Sequence, residues 1–186
     1  MNTGFSQTST LELLQAVQRG DKSAFEKLYA STHRDVFHYI LSFLKDAGAA
    51  EDVLIEVYLA VWRNASSFQG RSKVKTWIFG IARNQALNAL RRSPPTSSLE
   101  NHPGAAVSGD SGKSAEQRVL VNQALAALSR QHREVLELVF IYGMRYQEIA
   151  HLLGIPVNTV KTRIFHAKKA ARQLIEEKKE TRGREC

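Results

Sequence analysis

Apolar residues recur every three or four positions along most of the chain, which places them on one face of an α-helix. The pattern predicts helices over residues 10–19, 21–44, 49–64 and 74–92, and then over residues 115–128, 131–142, 146–153 and 157–177. No segment shows the sustained alternation of apolar and polar residues that is typical of a half-buried strand. We therefore predict an all-α protein.

Capping residues and helix breakers support several of these boundaries. Thr10 and Asp21 are placed to cap the first two helices with their side-chain oxygens, and Gly20 separates the two helices. Pro94 and Pro95 prevent the fourth helix from continuing, because proline lacks the backbone N–H that the helix needs.

The segment that follows the fourth helix differs from the regions on either side of it. Residues 93–114 are rich in Ser, Pro and Gly and contain almost no large apolar residues. Such a segment has too little to bury and is expected to be a flexible linker. The predicted architecture is therefore two small helical domains, residues 1–92 and 115–177, joined by this linker and followed by a tail at 178–186.

Residues 146–172 have the pattern of a helix-turn-helix. Gly154 can supply the bend between the two helices because it tolerates positive φ, and Pro156 fits the start of the second helix. The apolar positions of the second helix that can pack against the first are Val160, Ile164 and Ala167. In a helix-turn-helix the second helix enters the DNA major groove. Its exposed side would present Asn158, Lys161, Thr162, Phe165, His166 and Lys169.

The distribution of charge also indicates a polyanionic partner. The net charge is +8. Residues 1–92 hold 12 Lys/Arg and 8 Asp/Glu, and residues 115–186 hold 13 and 8, whereas residues 93–114 hold 1 and 2. Two basic regions on either side of a near-neutral segment favour two surfaces for nucleic acid. Residues 149–175 contain five Lys/Arg and no acidic residue, and residues 63–92 contain seven and none.

The sequence has no local signature of an enzyme or a metal protein. The only cysteine is Cys186, so no internal disulfide can form, and the six histidines show no metal-ligand spacing. A phosphate-binding glycine loop and a Gly-x-Ser-x-Gly turn are both absent. We therefore expect a non-enzymatic protein without cofactor or metal. The lack of a membrane-spanning apolar run or a signal-peptide pattern predicts a cytoplasmic location without membrane insertion.

Three stretches, taken in order, resemble the extracytoplasmic-function (ECF) sigma factors of bacterial RNA polymerase. Residues 50–62, AEDVLIEVYLAVW, resemble the region-two helix that docks on the polymerase clamp. Residues 68–72, FQGRS, and 76–84, TWIFGIARN, are similar to the loop and helix for the −10 promoter element. Residues 125–172 resemble the region-four domain for the −35 element. Ile55 departs from the family pattern, which usually has a polar Gln at that position.

The resemblance implies three groups of site residues and three partners. The expected −35 contacts are Asn158, Thr159, Lys161, Thr162, Arg163, Phe165, His166, Lys168 and Lys169. The expected −10 contacts are Phe68, Gln69, Arg71, Lys73, Lys75, Arg83 and Asn84. The expected polymerase contacts are Glu51, Asp52, Ile55 and Glu56. The implied partners are core RNA polymerase, promoter DNA and an anti-sigma factor.

Two other interpretations compete with this one. A stand-alone helix-turn-helix regulator would bind an operator without polymerase, although the chain has no obvious dimerisation helix. A protein-binding adaptor would use the acidic and apolar face of residues 46–62, but it would leave both basic regions unexplained.

Overall fold

The computed structural model describes residues 7–92, 121 and 123–184, with side chains described from residue 10 to residue 177 within those ranges. The chain divides into two compact units, Met1–His102 and Pro103–Cys186. The described residues form helices and no strand, which confirms the all-α prediction. The predicted linker at 93–114 and the first residues of the predicted helix 115–128 lie outside the described residues.

The described residues of the first unit form helices α1 (Gln7–Gln18), α2 (Lys22–Leu44), α3 (Ala47–Asn64) and α4 (Val74–Arg92). A short 3₁₀ turn, Ala65–Ser67, follows α3. Helices α2, α3 and α4 pack against one another, and α1 packs mainly on α2. The largest fully buried side chains of this unit are Tyr39, Phe79, Leu14, Leu28, Ile40 and Ile78.

Helix ends in the first unit confirm one predicted cap and correct another. The Asp21 carboxylate accepts the Ala24 N–H at 3.0 Å and caps α2 as expected. The prediction that Thr10 caps α1 is wrong, because α1 already begins at Gln7. No Gly or Pro precedes Thr10 within the helix, so nothing in that segment stops it from starting earlier.

A buried hydrogen bond joins α2 to α3. The hydroxyl groups of Thr32 and Tyr58 lie 2.7 Å apart, and the Thr32 hydroxyl also donates to the Leu28 carbonyl at 2.7 Å. Burial raises the pKa of the Tyr58 hydroxyl, so this group stays protonated and able to donate. Phe25 and Tyr29 pack their rings against Tyr58 from α2.

The second unit has a helical segment at residues 123–127, then α5 (Arg130–Leu136), α6 (Tyr146–Leu153) and α7 (Val157–Arg184). The Arg133 guanidinium donates to the carbonyl oxygens of Leu125, Ala126 and Leu128, at 2.8 Å to Leu125 and 3.1 Å to Leu128. These carbonyls lie at the end of the preceding helical segment, where no further turn of helix can satisfy them. Arg133 therefore links that segment to α5.

Two predicted helices of the second unit differ from the observed ones. The predicted helix 131–142 is α5 followed by a π-helical turn, Glu137–Ile141, in which the Tyr142 N–H donates to the Glu137 carbonyl at 3.0 Å. Apolar spacing over five residues does not distinguish such a turn from α-helix. The last helix continues to Arg184 instead of ending at 177, because the Glu and Lys residues after 175 are good helix formers.

The core of the second unit supports the last two helices. Val135, Leu138, Ile149, Val160 and Ala167 are fully buried, and Leu128, Leu136 and Ile164 are nearly so. Leu125 and Val139, at the border of this core, are half-buried. Within the part of the chain that the structure describes, no helix combines the length and apolar character needed to cross a membrane.

Candidate nucleic-acid and protein interfaces

The turn between α6 and α7 has the geometry that the sequence predicts for a helix-turn-helix. Gly154 has φ 65° and ψ 36°, a left-handed conformation. The Ile155 N–H donates to the Ala150 carbonyl at 3.1 Å, and the Gly154 N–H donates to the His151 carbonyl at 3.4 Å. These two bonds form a Schellman motif, which ends α6 and directs the chain into α7. At the other end of α6, the Glu148 carboxylate accepts the Arg145 N–H at 2.8 Å.

Helix α7 buries one side and exposes the other. Val160, Ile164 and Ala167 face the core, as expected from their spacing. The side chains exposed on the opposite side are Asn158, Lys161, Thr162, Phe165, His166, Lys168, Lys169 and Arg172. Thr159 and Arg163, which also belong to the predicted −35 contacts, are half-buried and lie at the edges of this side. The fold therefore brings the predicted −35 residues together on one helix, and we call their exposed side the α7 surface.

Aromatic rings are part of the α7 surface and of its border. Phe165 is 66% exposed, and its ring contacts His166 edge to face at 5.4 Å. The Lys168 ammonium lies 4.9 Å from the ring centroid of Phe140, which is itself 61% exposed. A cation over an aromatic face is attracted by the ring's quadrupole. Phe140 precedes the helix-turn-helix in the chain and reaches Lys168 only through the fold, so no local sequence pattern points to it.

In the first unit, the loop between the 3₁₀ turn and α4 contains several predicted −10 residues. Phe68 is half-buried, and its ring contacts Trp77 at 5.5 Å and 62°. Gln69 and Arg71 are exposed on either side of Gly70, which has φ 68°. Trp77 and Trp62 are both half-buried, and Trp62 packs edge to face on Phe25 at 5.2 Å.

The predicted −10 residues of α4 do not share one face. Lys75 and Asn84 are nine residues apart, about two and a half helical turns, so they lie on opposite sides of α4. The Lys75 ammonium lies 2.8 Å from the Asp35 carboxylate of α2, while Asn84 is exposed. Lys73 and Arg83 are half-buried. The fold thus brings Asp35, a carboxylate from α2, against a stretch of sequence that has no acidic residue of its own.

Helix α3 presents a mixed acidic and apolar surface. Glu51, Asp52 and Glu56 are exposed, as expected, and Ile55 is 61% exposed. Leu59 is 47% exposed and lies one turn after Ile55, a spacing that could have predicted it. We call Glu51, Asp52, Ile55, Glu56 and Leu59 the α3 surface.

One acidic residue next to α3 caps the helix. The Asp46 carboxylate accepts the Ala49 N–H at 2.7 Å and so caps α3. Capping does not account for Glu51, Asp52 and Glu56, which lie beyond the first turn. Among the residues whose side chains are described, no group of three or more His, Cys, Asp or Glu could hold a metal ion.

Comparison with known proteins identifies the family. The Sigma-70 region 2 model matches residues 28–94, and the Sigma-70, region 4 model matches residues 118–170, together more than half of the chain. The chain is 33% identical over 179 residues to the RNA polymerase sigma-H factor of Pseudomonas aeruginosa, an alignment that covers 89% of this chain and 93% of the relative. It is 29% identical over 172 residues to the ECF RNA polymerase sigma factor SigK of Mycobacterium ulcerans, covering 88% and 92%.

Two solved structures share the fold at lower sequence identity. CnrH, in complex with the cytosolic domain of CnrY, has a TM-score of 0.69 and 22% identity, covering 91% of this chain and 98% of that one. The sigma factor RpoE of Bartonella quintana, in complex with the anti-sigma factor NepR, has a TM-score of 0.66 and 23% identity, covering 82% and 96%. The two matching regions and the similarity to the Pseudomonas protein over most of both chains show that the chain belongs to the sigma-70 family of RNA polymerase sigma factors, and the ECF sigma factor SigK is among its relatives.

Proposed function

We propose that this protein is an alternative sigma factor, which binds core RNA polymerase and directs it to specific promoters for transcription initiation. The observation that carries the proposal is the presence of both sigma-70 regions, in order, in two separate helical units. The protein would perform no bond chemistry itself. Its work would be to bind two DNA elements and one polymerase at the same time, in the cytoplasm.

The α7 surface suits recognition of the −35 duplex. Lys161, Thr162, Phe165 and His166 would lie near base edges, where hydrogen bonds and apolar contacts read sequence. An exposed phenyl ring such as that of Phe165 can contact a thymine methyl group. Lys168, Lys169 and Arg172 lie further along the helix and would contact phosphates, which hold the protein in register and carry little sequence information.

The loop at residues 65–73 suits the −10 element, where one DNA strand must be opened and held. Stacking of an exposed base on an aromatic ring contributes on the order of 1–3 kcal/mol. Phe68 would lie at the edge of such a site, with Gln69 and Arg71 exposed beside it. Arg83 and Asn84 of α4 would contact the strand as it leaves the loop.

The α3 surface suits the polymerase. Its three carboxylates would complement basic residues on the partner, and charge complementarity of this kind increases the association rate and selects the partner. Ile55 and Leu59 add apolar area that a docked protein would cover. Because RpoE of Bartonella quintana is known in complex with an anti-sigma factor, we propose that a partner of the same class binds and inhibits this protein.

Two DNA-binding units on one chain can act together even if each binds weakly. Tethering converts the second binding event into an intramolecular one, and the gain depends on whether the geometry allows both contacts at once. A polymerase that holds both units would set that geometry. We therefore expect tight and selective promoter binding only in the presence of core enzyme.

Reconstituted transcription tests this function. Purified protein is mixed with core RNA polymerase and fragments of the source genome, and the 5′ ends of the new transcripts are mapped. We expect starts at defined sites that share two upstream elements and that core enzyme alone does not use. Failure to bind core enzyme, or no defined start, would contradict the proposal.

The alternative function, a stand-alone helix-turn-helix regulator, makes the opposite prediction. Such a protein would bind the same fragments selectively without polymerase, and in most cases as a dimer on a palindrome. Mobility-shift assays with and without core enzyme distinguish the two functions in a single experiment.

A further inference from the structure

One side-chain hydrogen bond joins the first helix of the protein to the loop proposed to read the −10 element. The Gln18 side-chain amide, at the end of α1, donates to the carbonyl oxygen of Ala65 at 2.9 Å. Ala65 is the first residue of the 3₁₀ turn and is only 2% exposed. The two residues are 47 positions apart, so the contact depends entirely on how α1 packs in the first unit.

The same carbonyl oxygen also accepts a hydrogen bond from Phe68. The Phe68 backbone N–H donates to the Ala65 carbonyl at 3.2 Å. One oxygen therefore accepts a bond from α1 and a bond from the residue whose ring borders the proposed site. On its other side Phe68 is held by its ring contact with Trp77 of α4.

The position of the residues after Phe68 depends on these hydrogen bonds to the Ala65 carbonyl. Gln69, Gly70 and Arg71 are exposed, and Gly70 has a left-handed backbone that adds no side-chain packing. The direction in which they leave Phe68 is set by the turn at Ala65. A displacement of that carbonyl would therefore be passed on to these exposed residues.

We propose that Gln18 is a positioning residue for promoter recognition: through the Ala65 carbonyl it fixes the 65–73 loop, and with it the preference for −10 sequences. This inference rests on the proposed function of the loop. Gln18 itself need not touch DNA. Binding sites require such supporting hydrogen bonds because a small displacement of the contacting groups is enough to weaken recognition.

The test replaces Gln18 with Met, which keeps the length and the helix propensity of the side chain but removes the amide donor. Gln15→Met is the matched control, because Gln15 is an exposed residue of α1 one turn earlier. Three properties of the full-length protein are compared: amide hydrogen exchange of residues 66–70, affinity for core polymerase, and promoter binding of the sigma–core complex. Promoter binding uses two sets of variants of one mapped promoter, altered in the −10 or the −35 element.

Loss of one intramolecular hydrogen bond corresponds to about a two- to tenfold change in an equilibrium constant. For Gln18→Met we expect exchange of the Phe68 amide to be faster by such a factor. We also expect the relative affinities for the −10 variants to change by a similar factor. The relative affinities for the −35 variants and the affinity for core enzyme should match those measured with Gln15→Met.

Several results would overturn the inference. Identical behaviour of Gln18→Met and Gln15→Met would mean that the bond does not hold the loop. A uniform loss of core binding and thermal stability would mean that Gln18 only stabilises the unit. Faster exchange with an unchanged −10 ranking would mean that the loop position does not set promoter preference. If the wild-type protein forms no promoter complex at all, the proposed function fails and this inference with it.

Discussion

The turn at Gly154 gives a prediction whose sign and size follow from the backbone. Gly154 has φ 65°, and a Cβ placed on it would meet no atom within 4 Å. Substitution by Ala therefore creates no clash. The cost comes from the left-handed conformation itself, which is unfavourable for an L-residue by roughly 1–2 kcal/mol.

Part of that cost is offset in the unfolded chain. Ala restricts the unfolded backbone more than Gly, which by itself would stabilise the protein by about 0.4–1 kcal/mol. We expect Gly154→Ala to lower the free energy of unfolding of the second unit by about 1 kcal/mol. For a unit of this size the melting temperature would fall by about 4–8 °C. Asn tolerates the left-handed region, so Gly154→Asn should lose clearly less.

The assay must report the second unit alone. Both tryptophans, Trp62 and Trp77, lie in the first unit, so Trp fluorescence serves as the internal control and should not change. Native-state hydrogen exchange of α6 and α7 peptides gives the local free energy of opening. Equal losses of unfolding free energy for Gly154→Ala and Gly154→Asn would refute the reasoning. They would indicate that the added side chain is excluded by its size and not by the left-handed backbone.

Gly80 offers a comparison of opposite sign. It lies inside α4, its φ is not positive, and an added Cβ would again meet no atom within 4 Å. Gly80→Ala should therefore stabilise the first unit by about 0.5–1 kcal/mol. Destabilisation by this substitution would show that α4 needs glycine for another reason.

The remaining predictions concern the three surfaces and the core. Lys169→Ala should weaken binding of the sigma–core complex to all promoters alike, and it should lower the slope of log binding constant against log salt concentration by about 1. Lys161→Ala should instead change the order of affinities among −35 variants. Equal effects on all sequences would contradict base reading by Lys161. Glu56→Lys should weaken core-polymerase binding by about tenfold with little change in melting temperature, and a large drop in that temperature would mean that Glu56 stabilises the helix instead. Thr32→Val should cost about 1–3 kcal/mol of first-unit stability by urea titration, because it leaves the Tyr58 hydroxyl buried without its 2.7 Å partner, while Thr32→Ser keeps the hydroxyl and should cost less.

Local sequence was sufficient for most helix positions and for the helix-turn-helix. Helices α4 (Val74–Arg92) and α6 (Tyr146–Leu153) have the predicted bounds because nearby residues set their limits. Pro94 and Pro95 follow the end of α4, and Gly154 ends α6. The exposed side of α7 was also predictable, since the apolar residues on its other side recur with the helical period. Local patterns were less reliable where no residue forces a boundary, as at the start of α1 and the end of α7.

Tertiary structure alone decided the contacts between distant residues. The bonds from Gln18 to Ala65 and from Lys75 to Asp35 span 47 and 40 positions, and no spacing rule predicts them. They exist because packing of α1, α2 and α4 fixes the direction of each side chain, and that packing depends on the buried surface of the whole unit. The sequence by itself therefore determined which helices form and which sides carry charge. The tertiary structure determined which residues from other helices, such as Gln18, contact the loop at 65–73.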